Sequence, residues 1–295
     1  MTTAPVPVGT PTKAAATNAR SKSKPVPEPK SSPTASQTPQ RSFGISEGTL
    51  DHAQKIVVYG PGGVGKTELA SLLVDADVTP VFVDLEDGSR FLNVSRIDPT
   101  PETFEETLDA VRAVEDSGYD ALVLDSLTKA EELCIEYTLR TVKGRNKPDD
   151  PGRQVLSIEG YGWGKGYTHV YEQFLKLLQA LDALARKGKH IITTCHDCTA
   201  NVPNPGGDDW IRYEPRLQNN NKGMIRQRVK EWCDHLFYIG FDAFVADGKA
   251  QGSGTRTIYP TERPTHWAKS RKLSETIAYP KGDATLWHQL FLSEE

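Results

Sequence analysis

Short apolar runs recur along the chain, and the segments between them space their apolar residues differently. The runs at 55–59, 81–83, 121–124 and 191–194 are continuous and predict strands buried on both faces. Such strands, when they alternate with helices, are typical of a parallel sheet covered on both sides. The pattern therefore predicts an α/β fold with a mostly parallel sheet flanked by helices.

Helices are predicted between these strands. They run from Lys66 to about Val74, from about Pro101 to Glu115, from about Thr128 to Thr141 and from about Tyr167 to Arg186. Thr100 and Pro101 form a cap and first-turn pair that is typical of a helix start. Antiparallel strands are predicted around 235–239 and 255–259, followed by a short helix near Leu286–Leu292.

The first 42 residues differ in composition from the rest of the chain. They consist mainly of Pro, Ala, Ser, Thr and Lys and have few large apolar side chains, so we predict a disordered tail over 1–42. Six cationic residues and one acid give this tail a charge of +5, whereas the whole chain carries −4. The domain predicted over 43–295 is therefore acidic, which is unusual for a general duplex-DNA binder.

No apolar run approaches the ~18 residues of a membrane span, and the amino terminus lacks the apolar core of a signal peptide. The four cysteines do not suggest a disulfide framework and fit a reducing compartment. These features predict a soluble protein of the cytoplasm.

A complete G-x-x-x-x-G-K-T motif occupies 60–67, directly after the first predicted strand. Backbone N–H groups of such a loop bind phosphate oxygens, and Lys66 and Thr67 are placed to contact the outer phosphates and Mg²⁺. The same glycines fit a dinucleotide motif with Asp84 as the ribose ligand, but the Lys-Thr pair favours a nucleoside triphosphate. The predicted binding residues are Gly60, Pro61, Gly62, Gly63, Val64, Gly65, Lys66, Thr67 and Glu68.

Two further carboxylates follow predicted strands. Asp125 ends the run 122–124, where it would hold Mg²⁺ beside Thr67; the alternative is a helix N-cap. Glu86 follows the run 81–83 and would activate the water that attacks the terminal phosphate; the alternative is an ordinary surface acid.

The order of these features resembles the RecA-type recombinase core. The features are the phosphate loop, a strand ending Asp84-Leu85-Glu86, a strand ending Asp125-Ser126 and a later strand with a polar end. From about residue 54 to 280, the chain is most similar to the short phage-encoded RecA-like ATPases linked to single-strand annealing and recombination. The resemblance implies a RecA-like P-loop fold, ATP and Mg²⁺ as cofactors, single-stranded DNA as partner and a homo-oligomer. A single-strand-binding protein would be a further partner.

The resemblance also implies roles for three residues near later strands. His196 stands where RecA-type proteins place a glutamine that senses the γ-phosphate, although a strand-end histidine bonded to backbone is the alternative. Lys269 and Arg271 resemble a pair of cations that reach the γ-phosphate of the adjacent subunit, with a solvated basic turn as the alternative.

RecA-type cores bind DNA with two loops, and the chain has polar, glycine-containing stretches at both places, 143–166 and 197–228. Cations interleaved with aromatic residues can neutralise phosphates and stack on bases, although nearby aspartates dilute the positive charge. The predicted DNA contacts are Arg145, Lys147, Arg153, Trp163, Lys165, Arg212, Arg216, Lys222 and Arg226.

Two other motifs in the sequence are less consistent with their surroundings. Asn146-Lys147-Pro148-Asp149 spells a guanine-reading motif, but it lies in a polar loop instead of at the end of a buried strand. Cys195, Cys198, Cys233 and His235 suggest a zinc site, but the chain has no second C-x-x-C, so buried free thiols are favoured.

Together these features predict a phage recombination or annealing protein that binds single-stranded DNA and hydrolyses ATP at subunit interfaces. The alternatives are a RecA-fold helicase or translocase and a nucleotide-gated adaptor that binds a protein partner. The preference for ATP or GTP stays open, because no base-reading residue can be named.

Overall fold

The computed structural model describes residues 44–45, 47–48, 52–144, 152–246 and 249–292. It divides into two units, Met1–Thr49 and Leu50–Glu295, and everything below concerns the second. The predicted tail over 1–42 lies outside the described residues. Within the described part, no helix is long and apolar enough to cross a membrane.

Nine strands form one sheet in the described part of the chain. The strands are β1 Lys55–Gly60, β2 Pro80–Asp84, β3 Ser95–Arg96, β4 Ala121–Asp125, β5 His190–Val202, β6 Trp210–Pro215, β7 His235–Ala246, β8 Lys249–Tyr259 and β9 Ile277–Ala278. Their order is β3-β2-β4-β5-β1-β7-β8-β9, and β6 pairs with β5 beyond this path. The six neighbouring strands β3, β2, β4, β5, β1 and β7 are parallel to one another. β6 pairs antiparallel with β5, β8 with β7, and β9 with β8.

Six α-helices accompany the described strands. They are α1 Lys66–Ser71, α2 Phe104–Ala113, α3 Leu127–Thr141, α4 Lys165–Arg186, α5 Ile225–Trp232 and α6 Thr285–Phe291. One hydrophobic cluster joins one sheet face to α2, α3, α4 and α5, and a second joins the other face to α1 and α6. Because both faces are covered, the central strands are buried along most of their length and mostly apolar. This arrangement confirms the predicted fold class, a mostly parallel sheet flanked by helices.

The start of α2 differs from the prediction. The helix begins at Phe104, and its N-cap is Thr103 instead of the pair Thr100-Pro101. The Thr103 hydroxyl accepts the Glu106 N–H at 3.2 Å, and the Glu106 carboxylate accepts the Thr103 N–H at 3.1 Å. This reciprocal capping box satisfies two backbone donors and therefore sets the helix start.

The second predicted loop, 197–228, is largely regular structure. β5 continues past residue 194 to Val202, pairs with β6 as an antiparallel hairpin, and is followed by α5. The strands of the core were predicted from continuous apolar runs. The two hairpin strands have no such run, because half-buried residues alternate with exposed ones along them, and they were therefore predicted as a loop. The first helix also differs, because α1 ends at Ser71 and the chain tightens into a 3₁₀ turn over Leu72–Ala76.

Candidate functional site

The phosphate loop joins the end of β1 to the start of α1 at the sheet edge where the parallel strands have their carboxyl ends. Glycine is required at two of its positions. A Cβ at Gly60 would collide with the carbonyl oxygen of Ile239, and one at Gly65 would collide with the Arg256 guanidinium. Gly65 also has a φ of 98°, in the left-handed region that favours glycine.

Lys66 directs its charge into this loop. Its side chain is buried, and the ammonium donates to the carbonyl oxygens of Gly60 at 2.8 Å and Pro61 at 2.9 Å. Burial lowers the pKa of Lys66, and the nearby Asp125 carboxylate opposes that effect. A buried cation held over a turn of glycines is suited to bind an anion.

Asp125 and Thr67 meet beside the loop. The Thr67 hydroxyl donates to the Asp125 carboxylate at 2.6 Å, and the Thr194 hydroxyl donates to its other oxygen. The alternative role of Asp125 as a helix N-cap is wrong, because the Ser126 hydroxyl caps α3 by accepting the Lys129 N–H at 3.2 Å.

The surroundings of Asp125 fit a divalent cation. Burial raises the pKa of its carboxyl, the hydrogen bonds from Thr194 and Thr67 oppose this, and the carboxylates of Asp84 and Glu86 raise it further. A cation beside these desolvated carboxylates would relieve their repulsion. Among the described residues, no cluster of three or more His, Cys, Asp or Glu side chains could hold a metal unaided. Mg²⁺ does not need one, because it commonly binds through one or two protein oxygens, waters and substrate phosphates.

Asp84 shapes the turn after β2. Its buried carboxylate accepts the N–H groups of Glu86 at 3.2 Å, Gly88 at 3.1 Å and Ser89 at 2.8 Å. The Ser89 hydroxyl donates to it as well, at 2.5 Å. These bonds occupy both carboxylate oxygens, so the structure contradicts the alternative role of Asp84 as a ribose ligand.

Glu86 and His196 come from the ends of different strands and contact each other. His196 Nε2 lies 3.0 Å from a Glu86 carboxylate oxygen, and the Ser126 hydroxyl donates to the other. Burial alone would raise the pKa of Glu86, but the Ser126 and His196 hydrogen bonds, with the charges of His196 and Lys66, bring it below its ordinary value. Glu86 is therefore ionised at neutral pH and held in one orientation.

These groups surround a cavity of about 270 Å³. Its lining residues are Gly62, Gly63, Gly65, Lys66, Thr67, Glu68, Glu86, Gly88, Asp125 and His196. The arrangement places an anion-binding loop, a cation-binding pair and an ionised carboxylate around one space. Hydrolysis of a nucleoside triphosphate requires these three kinds of group.

Two residues that were not predicted from the sequence bond to the backbone of the phosphate loop. Arg256, on β8, donates to the Val64 carbonyl at 2.9 Å and lies 3.5 Å from the Glu68 carboxylate. The Tyr279 hydroxyl donates to the Gly65 carbonyl at 3.0 Å, and the Arg256 guanidinium lies 4.2 Å from the Tyr279 ring centre. Arg256 is 192 positions from Val64, and no local sequence signal predicts such a contact.

Lys269 and Arg271 lie near the start of β7, at the sheet edge opposite the phosphate loop. The Lys269 ammonium donates to the carbonyl oxygens of Cys233 at 2.6 Å and Lys230 at 2.9 Å, so it caps the carboxyl end of α5. We therefore correct its assignment as a cation that acts on a neighbouring subunit, because its donors are used within the chain. Arg271 is exposed, 3.2 Å from the Asp234 carboxylate, and its role toward a neighbour stays a prediction.

Two predicted DNA contacts are also corrected. The guanidinium groups of Arg212 and Arg226 both bond to the buried Glu214 carboxylate, at 2.6 Å and 2.7 Å. Arg212 additionally lies over the Trp267 ring. Their side chains are about 15% exposed, so they stabilise the junction of β6 and α5 instead of facing a nucleic acid.

The other described DNA candidates are accessible to solvent: Arg153, Trp163, Lys165, Arg216 and Lys222. The second predicted loop packs on the first turn of α4, directly after the first loop, because the Thr168 hydroxyl donates to the Lys222 carbonyl at 3.0 Å and the Gln218 amide donates to the Tyr167 carbonyl at 3.1 Å. Trp163 is 93% exposed. Arg145 and Lys147 lie outside the described residues, as does the rejected motif over 146–149.

The cysteines of the described residues are free thiols, and Cys198 is half-buried. Cys195 and Cys233 are buried and unbonded to other cysteines, and burial raises the pKa of each thiol to about 12.

A comparison with known protein families finds a match over most of the chain. A family model described as an AAA domain matches residues 52–272. No curated protein matches the sequence. Among solved structures, a KaiC-like protein of the hyperthermophilic archaeon Pyrococcus horikoshii OT3 has 14% sequence identity and a TM-score of 0.41, with 78% of this chain and 91% of that chain covered.

Proposed function

The chain belongs to the AAA domain family, and from that premise we propose that it is a Mg²⁺-dependent ATPase that binds single-stranded DNA. Its role is recombination or strand annealing in a phage. The observation that carries the enzymatic part is the convergence of Glu86, His196, Thr67 and Asp125 on one cavity beside the phosphate loop. An anion-binding loop alone would suit a passive nucleotide binder, whereas an ionised, oriented carboxylate at the same cavity suits hydrolysis.

In the proposed reaction, the backbone N–H groups of the loop and the Lys66 ammonium hold the outer phosphates of ATP. Mg²⁺, held by Thr67 and Asp125, would neutralise charge on those phosphates. Glu86 accepts a proton from the attacking water, and its bonds to Ser126 and His196 orient the carboxylate. His196 can also donate to the terminal phosphate, and so sense its presence.

The DNA-binding part rests on the exposed surface around the start of α4, where the first predicted loop ends and the second packs. Exposed Lys165 and Lys222 can neutralise phosphates there, and the Trp163 ring offers a stacking face. β5 links this surface to the nucleotide cavity, because it carries His196 and then continues into the β5–β6 hairpin. We further propose that subunits assemble on DNA as a filament or ring, with ATP hydrolysis at their interfaces.

Anisotropy of a labelled single-stranded oligonucleotide, titrated at several salt concentrations, tests the DNA surface. We expect log K to fall with log[salt] by about 0.7 per neutralised phosphate. Trp163→Ala should weaken binding by about 1–3 kcal/mol if one base stacks on the ring. Phe91→Ala is the matched control, because Phe91 is 90% exposed and lies outside both loops.

ATPase rates with and without the oligonucleotide separate the alternatives. Stimulation by DNA supports the proposal. An ATPase rate that is the same with and without DNA would instead identify a nucleotide-gated adaptor. In that case the oligonucleotide affinity should also be independent of salt and unchanged by Trp163→Ala. Unwinding of a forked duplex would identify a helicase.

A further inference from the structure

The carbonyl oxygens of the phosphate loop, and not only its N–H groups, have partners. Arg256 Nη1 donates to the Val64 carbonyl at 2.9 Å, and the Tyr279 hydroxyl donates to the Gly65 carbonyl at 3.0 Å. The described residues that line the phosphate cavity include neither Arg256 nor Tyr279. Their hydrogen bonds can therefore affect a bound phosphate only through the backbone of the loop.

Arg256 and Tyr279 hold each other in place. Arg256 Nε donates to the Tyr279 carbonyl at 3.1 Å, and the Tyr279 N–H donates to the Arg256 carbonyl at 2.7 Å. The guanidinium also lies 4.2 Å from the Tyr279 ring centre. Tyr279 is 1% exposed and the Arg256 side chain 13% exposed, so packing fixes the positions of both donors.

The geometry of the peptide group carries these bonds over to the N–H groups of the loop. The Val64–Gly65 and Gly65–Lys66 peptide bonds are trans. In a planar trans peptide group, the C=O and the N–H of the next residue point in opposite directions. The bond to Val64 therefore fixes the direction of the Gly65 N–H, and the bond to Gly65 fixes that of the Lys66 N–H. Both Gly65 and Lys66 line the phosphate cavity.

We propose that Arg256 and Tyr279 are positioning residues, which hold the Gly65 and Lys66 N–H groups in the orientation that binds phosphate; this rests on the proposed function. A loop rich in glycine has many accessible conformations, so ordering it around an anion costs free energy. A loop that is ordered before binding avoids that cost and binds more tightly. Because this acts on the ground state and the transition state alike, it lowers KM and leaves kcat nearly unchanged.

Arg256 has a second effect, through its charge. Its guanidinium lies 3.5 Å from the Glu68 carboxylate, and Glu68 lines the phosphate cavity. A carboxylate at this place repels a bound phosphate, and the Arg256 charge offsets the repulsion. Loss of Arg256 is therefore expected to weaken phosphate binding more than loss of the Tyr279 hydroxyl.

Tyr279→Phe tests the positioning role with little disturbance of the fold, because the ring stays and the Gly65 carbonyl keeps its bond from the Leu69 N–H at 2.8 Å. Calorimetry on the full chain with Mg²⁺ measures the binding of ATP and of inorganic tripolyphosphate. We expect both affinities to fall about three- to tenfold, the loss for one hydrogen bond, with KM raised by the same factor and kcat within about twofold of wild type. Tyr171→Phe is the matched control, because Tyr171 lies on α4 and packs against the hydrophobic cluster on the other sheet face.

Arg256→Met removes the donor and the charge together. We expect tripolyphosphate affinity to fall about ten- to hundredfold, as for a hydrogen bond from a charged group. Glu68→Gln in that background should restore part of the affinity, because it removes the unpaired carboxylate, whereas Glu68→Gln alone should have a smaller effect. Urea unfolding of each variant shows that the calorimetry is done on folded protein.

Unchanged tripolyphosphate affinity in both Tyr279→Phe and Arg256→Met would overturn the inference while the proposed function stands. A fall in kcat with no change in either affinity would overturn it as well. A wild-type chain that binds ATP without hydrolysing it would remove the proposed ATPase instead, and the two affinities would still decide the inference. Failure of the wild-type chain to bind either ligand would remove both.

Discussion

The Glu86 carboxylate illustrates how a single residue acquires a chemical role from its neighbours. An isolated acid in the turn after β2 would be an ordinary surface group. Here Asp84 fixes the turn, Ser126 and His196 fix the carboxylate, and Lys66 adds a positive charge nearby. The group is ionised and oriented at once, which is what a base that positions water needs.

Replacement of Glu86 by glutamine is predicted to lower kcat for ATP hydrolysis by about 10²–10⁴, because an amide cannot accept the water proton. Binding of ATP should change little, since the amide keeps nearly the same shape. Steady-state turnover and equilibrium binding measure the two quantities separately. Asp87→Asn is the control, because Asp87 is an exposed acid in the same turn, and turnover close to wild type in Glu86→Gln would refute the assignment.

At the scale of elements, β5 connects the nucleotide cavity to the predicted DNA-binding surface. Its His196 N–H donates to the Thr128 hydroxyl at 3.0 Å, and the Arg216 N–H donates to the His196 carbonyl at 2.8 Å. The end of the central strand is thus tied both to α3 and to the segment that follows the β5–β6 hairpin. A change at the nucleotide cavity has a covalent and hydrogen-bonded route to the predicted DNA surface.

The capping box of α2 yields a stability prediction. Thr103→Ala removes the acceptor for the Glu106 N–H and should destabilise the protein by about 1 kcal/mol. Thr100→Ala is the matched control and should have almost no effect, because Thr100 lies outside the helix. Urea unfolding of the three proteins compares them, and equal losses for both variants would contradict the capping box.

At the scale of the whole molecule, stability should depend on pH through His235. This buried side chain lies at the start of β7, with Nδ1 2.9 Å from the Ser270 hydroxyl. Burial lowers its pKa from the ordinary 6.5 to about 4. Between these values the unfolded chain binds more protons than the folded one, so the free energy of unfolding falls as pH drops from 6.5 to 4. The expected loss is about 3 kcal/mol.

His235→Asn should remove this part of the pH dependence, because asparagine does not titrate. The measurement is the slope of unfolding free energy against pH between 4 and 6.5, compared with wild type and with the exposed-site control His52→Gln. Carboxylates titrate in the same range in all three proteins and therefore cancel in the comparison. Identical slopes in His235→Asn and wild type would show that the pKa of His235 is the same in the folded and the unfolded chain.

The sheet, most helices and the phosphate loop were predictable from the sequence. The spacing of apolar residues and the residue types of turns determine local structure within short stretches of chain. Glu86, Asp125 and His196 could be named for a related reason, since carboxyl ends of parallel strands meet at one edge. The extent of β5 was not predictable, because its outer half is stabilised by pairing with β6 and not by an apolar run of its own.

Contacts between distant residues set everything else. Arg256 and Tyr279 reach the phosphate loop from about 200 positions away, Glu214 withdraws Arg212 and Arg226 from the surface, and Lys269 caps a helix. The sequence alone does not distinguish a basic residue that faces solvent from one that bonds to a buried carboxylate. The environment of such a residue, and hence its function, comes from which elements the folded chain packs against it.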